Sequence, residues 1–424
     1  MILEPKSKIP FLLVAMRKKA IFLIILILIV YIGLFIIVTF KPQKLIKPIT
    51  GVNSVFVKTY PHAVLENLWL AYRDKIQKDG RTIDRSRDFL TTSEGQSYSL
   101  LRSVWMDDKE TFDNVLKWTN NNLRQREDDN LFAWKWGRNP DGSWDVLVEE
   151  GGMNTASDAD QDIALALIFG YKRWNQEHYL KQAIQILNDI WKQEVITVNG
   201  KYYLLAGNWA KSEPQPTVNP SYFSFAAYPI FADVDLTHPW LELRESSYDV
   251  LEEATLSNLD FDESANIPPD WVNLELTTGK VLPVLHGDKD TNFSDDAYRI
   301  IWRVGLDWKW HKNERAKEFL KKLSFLENEW KTQGKLIATY KHSGEPVDYH
   351  ESNSMYGATL AYFDLMHPYI AQDIYLSKLA VLYNSDTEEF AEDIGYYSQN
   401  WVWLGMAFYE DKLPNLFEVE GVDL

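Results

Sequence analysis

The sequence contains no cysteine, which excludes disulfides, thiolate nucleophiles and cysteine-based zinc or iron–sulfur sites, so the fold must stand on packing. That absence suits an extracytoplasmic protein without requiring one. An excess of positive charge is missing too: 44 Lys and Arg face 61 Asp and Glu, for a net charge of −17. Residues 1–50 hold eight of the basic residues against one acid, Glu4, so the rest of the chain is more acidic still. Without a basic footprint, nucleic acid is not an expected partner. No Pro/Gly/Ser-rich linker interrupts the helical part of the chain, which favours one large domain.

Long apolar runs are absent with one exception. From Ala20 to Phe40 nothing charged interrupts the chain, and such a helix is long enough to cross a hydrocarbon core of roughly 30 Å. Arg17, Lys18 and Lys19 precede it and Lys41, Lys44 and Lys47 follow, so the positive-inside rule leans only weakly towards an inside N-terminus. The run ends Val38-Thr39-Phe40-Lys41-Pro42 rather than on small residues of a cleavage site, which reads as an uncleaved anchor. The expected organisation is a short cytoplasmic segment (1–19), a transmembrane anchor (20–40), a juncture opposed to helix by Pro42 and Pro48 (41–60), and a folded domain (61–424).

Apolar residues recur at helical spacing roughly over 62–79, 93–106, 108–122, 156–174, 176–193, 221–232, 238–258, 293–311, 312–331, 352–366, 370–383 and 398–410. Strand-like pieces are few, with Lys201–Leu205 and Trp271–Leu274 the best. The pattern predicts an all-α domain of twelve helices. Aromatics are plentiful, with 17 Trp and 22 Tyr. Most such rings build helical cores, and core packing is the expected role of Trp105, Trp209 and Trp271.

Two segments place acids where chemistry could use them. Thr92-Ser93-Glu94-Gly95-Gln96-Ser97-Tyr98 sets Glu94 at the start of a helix beside a glycine that admits a ligand. The plain alternative is a first-turn glutamate after a serine cap. Ala156-Ser157-Asp158-Ala159-Asp160-Gln161-Asp162 sends three alternating acids into an apolar helix. Here the alternatives are first-turn acids behind a Ser157 cap, or a calcium loop that lacks the glycine and terminal glutamate of an EF-hand.

Together these segments resemble glycoside hydrolase family 8. The resemblance continues, in the family's order, through Asn219-Pro220-Ser221-Tyr222-Phe223, Ser246-Ser247-Tyr248-Asp249, Pro269-Asp270-Trp271 and Asp296-Ala297-Tyr298-Arg299. It implies an (α/α)6 barrel, a double ring of helices, and hydrolysis of a polysaccharide with no metal or cofactor. It also implies Glu94 as general acid, Asp296 as general base and Asp158 as the aspartate holding the sugar at the point of cleavage. Trp134 matches a sugar-stacking position, Tyr396 and Tyr397 match tyrosines near that point, and Tyr98 and Arg299 fall within the matched motifs. Asp295 stands where the family usually has tyrosine, so two adjacent carboxylates, Asp295 and Asp296, are candidates for the base, and Asp-Ala-x-Arg favours Asp296 through Arg299.

The chemistry asks for such a set. Hydrolysis with inversion needs a protonated carboxyl on the leaving oxygen and an ionised carboxylate to activate water. Burial or a neighbouring negative charge would keep Glu94 protonated, and Arg299 would keep Asp296 ionised. The resulting expectation is an inverting, endo-acting hydrolase of a β-linked polysaccharide, tethered at the cell membrane and facing outward, where it could trim a polymer leaving an exopolysaccharide synthase. Competing readings are a polysaccharide lyase on an α/α toroid and a glycan-binding scaffold of such a complex.

Overall fold

The computed structural model describes residues 64–260, 262–284 and 289–418, all within one compact unit, Tyr60–Leu424. The cytoplasmic, transmembrane and juncture segments expected over 1–60 lie outside the described residues. Among those described, no helix is long and apolar enough to cross a membrane.

The described helices are α1 (Val64–Arg73), α2 (Ser93–Trp105), α3 (Lys109–Asn122), α4 (Ser157–Trp174), α5 (Glu177–Glu194), α6 (Tyr228–Val234), α7 (Trp240–Leu256), α8 (Arg299–His311), α9 (Glu314–Lys322), α10 (Ser324–Gln333), α11 (Asn353–Met366), α12 (Pro368–Ile374) and α13 (Gly395–Tyr409). Helix α2 packs on α3 and α4, α8 on α9 and α11, and α11 on α13, which returns to α1, α2 and α8. A 3-10 turn, Pro220–Tyr222, touches α4, α7 and α8 and bridges the remaining gap. The result is a closed ring of helices with others packed outside it.

Position in the ring explains each helix's pattern. Helix α5 lies outside and buries Tyr179, Ala183, Ile186, Leu187 and Ile190, one stripe at helical spacing. Ring helices have no free face. Every residue of α4 from Ser157 to Gly170 is buried, and α2, α11 and α13 bury most of theirs, polar side chains included. Gly357 on α11 and Gly405 on α13 let two backbones meet: a Cβ at Gly405 would lie 2.1 Å from the carbonyl oxygen of Gly357.

Several expected boundaries move. The helix expected over 312–331 is two helices, α9 and α10, broken at Leu323. The one expected over 370–383 is the short α12 followed by a π turn, Tyr375–Leu379, and a 3-10 turn. The patterns at 221–232 and 293–311 become helix only from Tyr228 and Arg299, because their first residues turn into the site. Lys201–Leu204 pairs with Val195–Val198, and Val272–Leu274 is the middle strand between Thr217–Val218 and Val281–Pro283. A sheet that periodicity did not indicate joins Thr91–Thr92, Lys135–Arg138 and Trp144–Val146.

The glycine contact gives a direct test of ring packing. Gly405→Ala should destabilise the domain by about 1–3 kcal/mol, the range for forced overpacking, read as a shift of the urea midpoint. An unchanged midpoint would mean that α11 and α13 are not held this closely.

Candidate active site

Helix α8 carries Arg299 and Arg303 one turn apart, facing Asp158 and Asp162, one turn apart on α4. Arg303 binds both oxygens of Asp162, at 2.8 Å each, and donates to Ser224 Oγ at 2.9 Å. Arg299 reaches further. Its Nη1 donates to Asp158 Oδ2 at 3.2 Å and to Glu94 Oε2 at 2.6 Å, while Nη2 holds Asp296 Oδ1 and donates to Ser221 Oγ at 3.0 Å. Three acids far apart in sequence thus meet on one guanidinium. Asp158 is closed off, with its side chain 3% exposed, whereas Glu94 (21%) and Asp296 (28%) keep an open side.

Local structure sets each acid. Thr92, not Ser93, caps α2, its Oγ1 accepting from Gly95 N at 3.0 Å. This turn places Glu94 against Arg299 with one side open. Ser93 N donates to the Trp134 carbonyl at 3.1 Å, tying the acid's turn to the sheet. A Cβ on Gly95 would come within 3.3 Å of the Tyr396 ring, so glycine leaves room for Tyr396, whose hydroxyl donates to Glu94 Oε1 at 2.9 Å. Helix α4 has no side-chain cap, since Ser157 Oγ donates to the Leu205 carbonyl instead.

Asp296 is held through Asp270. The Asp270 carboxylate accepts from Ser294 N at 3.2 Å, Ala297 N at 2.6 Å and Ser294 Oγ, fixing the turn on both sides of Asp296. The motif Pro269-Asp270-Trp271 is visible in the sequence, but nothing local to it shows that Asp270 holds this turn. Asp295 points elsewhere: it is exposed and accepts the Tyr298 hydroxyl at 2.6 Å, while its carbonyl accepts the Tyr397 hydroxyl. Asp296, not Asp295, faces the cluster.

Three carboxylates and one guanidinium leave excess negative charge in a largely desolvated place, which favours retention of a proton. Burial pushes Asp158 up to about 7; Arg299 opposes the shift and Glu94 adds to it. Asp296 is also raised by burial, with Arg299 and polar contacts from Asn219 and Trp271 opposing and Asp295 reinforcing. The sequence expectation gave Arg299 to the base alone, but the guanidinium is shared by acid, base and Asp158, and it offsets burial only in part. The three acids of the α4 segment diverge: Asp158 to Arg299, Asp162 to Arg303, and Asp160 to Phe132 N at 3.1 Å. They do not converge as a calcium loop would.

The aromatic surround sorts itself. Trp134 is half-buried, with its indole N–H on the Gly151 carbonyl at 3.0 Å. Tyr98 is buried and accepts from Arg299 Nη1 at 3.4 Å. Trp105 is core, edge-on to Trp302. Trp209 and Trp271 are half-buried with Lys289 over both rings, and Trp271 lies edge-on to Tyr222, over whose ring the Arg299 guanidinium sits at 5.3 Å. For Trp271 the core assignment therefore fails, because the Asp296 turn brings its ring to the site. Tyr222 and Ser221 are site residues that the sequence reading matched only as part of a motif.

The model of glycosyl hydrolases family 8 matches residues 53–399. The chain belongs to glycosyl hydrolases family 8. An endoglucanase of Xanthomonas axonopodis pv. citri is 37% identical over 253 residues, covering 57% of this chain and 60% of that one. An Escherichia coli endoglucanase is 34% identical over 238 residues, with 55% and 60% coverage. The matched region therefore spans about 60% of these relatives' length. Among solved structures, the endo-1,4-D-glucanase of Vibrio fischeri superposes with a TM-score of 0.68 at 24% identity, covering 81% of this chain and 94% of that one. A cold-adapted family 8 xylanase gives 0.65 at 17%, covering 83% and 92%. The fold is the (α/α)6 barrel of family 8 neighbours, and the lyase reading is set aside.

The upward shift of Asp158 has a sign that stability can read. Its folded pKa of about 7 lies above an unfolded value near 4, so the native state binds more protons between these values and stability falls as pH rises through them. Asp158→Asn should remove that part of the decline, on the order of 2 kcal/mol between pH 5 and 7, measured from urea midpoints. A variant with the wild-type slope would show that Asp158 is ionised throughout.

Proposed function

We propose that this family 8 protein is an inverting, endo-acting glycoside hydrolase of a β-linked glucan or related polysaccharide, working outside the cytoplasm on a membrane tether. The observation that carries the chemistry is the meeting of Glu94, Asp158 and Asp296 on Arg299, with the outer two acids partly exposed and Tyr222, Trp271, Tyr396 and Tyr397 gathered around the cluster. Glu94, in its protonated form, gives a proton to the leaving oxygen. Asp296, turned by Asp270, draws a proton from water on the opposite side of the sugar. Asp158 holds the sugar between them, and the half-buried Trp134 face offers a stacking surface. An intact acid set supports turnover rather than scaffolding, and relatives named endoglucanases support internal cleavage of a glucan. The uncharged run from Ala20 to Phe40 supports the tether, which would suit trimming of a polymer as it leaves a membrane synthase.

Glu94→Gln and Asp296→Asn should each cut turnover of a soluble β-glucan by orders of magnitude with folding intact. Asp295→Asn should retain more activity than Asp296→Asn. Proton NMR of the first product should show the α-anomer released from a β-linked chain. Early β-anomer would rule out inversion, and a more damaging Asp295→Asn would move the base by one residue. Trp134→Ala should weaken long-oligosaccharide binding by on the order of 1–3 kcal/mol with little change in melting temperature; equal loss of stability would make Trp134 a packing residue.

A further inference from the structure

Two residues beyond Asp158, Asp160 on α4 is 0% exposed, as is Glu194 at the end of α5. Each has one oxygen satisfied: Asp160 Oδ1 accepts from Phe132 N at 3.1 Å and Glu194 Oε1 from Thr155 Oγ1. The other oxygens, Asp160 Oδ2 and Glu194 Oε2, are buried and meet no donor among the described residues, although the two side chains lie within hydrogen-bonding reach of each other. Two ionised carboxylates placed so would repel and leave two buried acceptors unsatisfied. One proton between them removes both problems, because the protonated acid donates to its partner.

We propose that Asp160 and Glu194 share one proton and, as an acid–carboxylate pair, position three segments adjoining the catalytic acids. The Phe132 amide held by Asp160 lies two residues before Trp134. Asp160 itself lies two residues after Asp158. Thr155, held by Glu194, accepts from Asn208 N at 2.9 Å through its hydroxyl and donates its own amide to Asn208 Oδ1 at 2.8 Å, while the Glu194 carbonyl accepts from Leu205 N at 2.8 Å. The pair thus joins the Trp134 segment, the Asp158 turn and the segment 205–208 that leads to Trp209.

The surrounding charges fit a neutralised pair. Arg126 is the nearby cation, but its Nε and Nη2 are committed to Asp129 at 2.8 Å each and its Nη1 to the Met153 carbonyl at 2.6 Å. Lys211 is committed to the Lys192 and Val195 carbonyls, on either side of Glu194 in sequence. Asp158 and Tyr228 also face the pair. Burial, then the partner's charge, raises Asp160 well above the carboxylate range, and burial with the Asp158 charge pushes Glu194 up to about 8, against Thr155, Asp160 and Arg126.

The test uses Asp160→Asn and Glu194→Gln, whose amides supply the N–H donor permanently. Wild-type melting temperature should fall as pH rises from 6 to 9, since the folded state holds a proton that the unfolded chain has lost, and either amide variant should fold at pH 6 and show a shallower fall. For a soluble cello-oligosaccharide, the wild-type KM should rise several-fold above about pH 8 as the pair ionises, while Glu194→Gln keeps KM level and both share the kcat profile of the catalytic acids. Amide variants with the wild-type thermal slope, or two that fail to fold at pH 6, would overturn the shared proton. A level wild-type KM would overturn the positioning role. The kinetic arm rests on the hydrolase reading, but the thermal arm needs no substrate, so failure of the two ideas can be told apart.

Discussion

Two arginines on one helix facing two aspartates on another, in matching one-turn register, are the contact on which the rest of this structure depends. Arg303 and Asp162 form the closed rung, bidentate and about 5% exposed on each side. Removing one partner of such a pair would strand a buried charge, typically at a cost of about 3–5 kcal/mol. Arg299 and Asp158 form the other rung, buried as deeply as the first, and there the guanidinium also holds Glu94 and Asp296. One rung fixes the register of α8 against α4, and that register decides which acids meet at the other.

The ring supplies what these charges need. Helices buried on all sides can carry polar side chains inward only where each finds a partner, and α2, α4, α8 and α13 do so through Gln96, Asp158, Asp162, Arg299, Arg303 and Asn400. Exclusion of water strengthens every interaction in the cluster and makes its excess negative charge costly. An arrangement whose burial and excess negative charge favour holding a proton suits a reaction that begins by giving one away.

Legibility in the sequence followed physical scale. Outer helices such as α5 were plain because one face meets water, and ring helices were found because their apolar length is long whatever its period. The break at Leu323 was hidden, since α9 and α10 together keep a continuous amphipathic pattern. The motif acids Glu94, Asp158 and Asp296 were legible as types, but their convergence is a matter of tertiary register that no local pattern encodes. Asp270 was visible within a motif but without a role, because it acts through backbone amides of a turn that only the fold reveals, and the same turn carries Trp271 out of the core expected for it. Asp160 looked like one of three equivalent acids, and only the end of α5, folded against it, separates it from its neighbours.

Whether the acids work as one unit through Arg299 is tested most directly by a double-mutant cycle on turnover with Asp158→Asn and Arg299→Lys, with urea unfolding as the control for stability. The shared-guanidinium account predicts strong coupling: the double variant should lose little more than the worse single variant, with an interaction energy on the order of 1–3 kcal/mol. Losses that simply add would contradict it, and would mean that Asp158 and Arg299 contribute separately to the site.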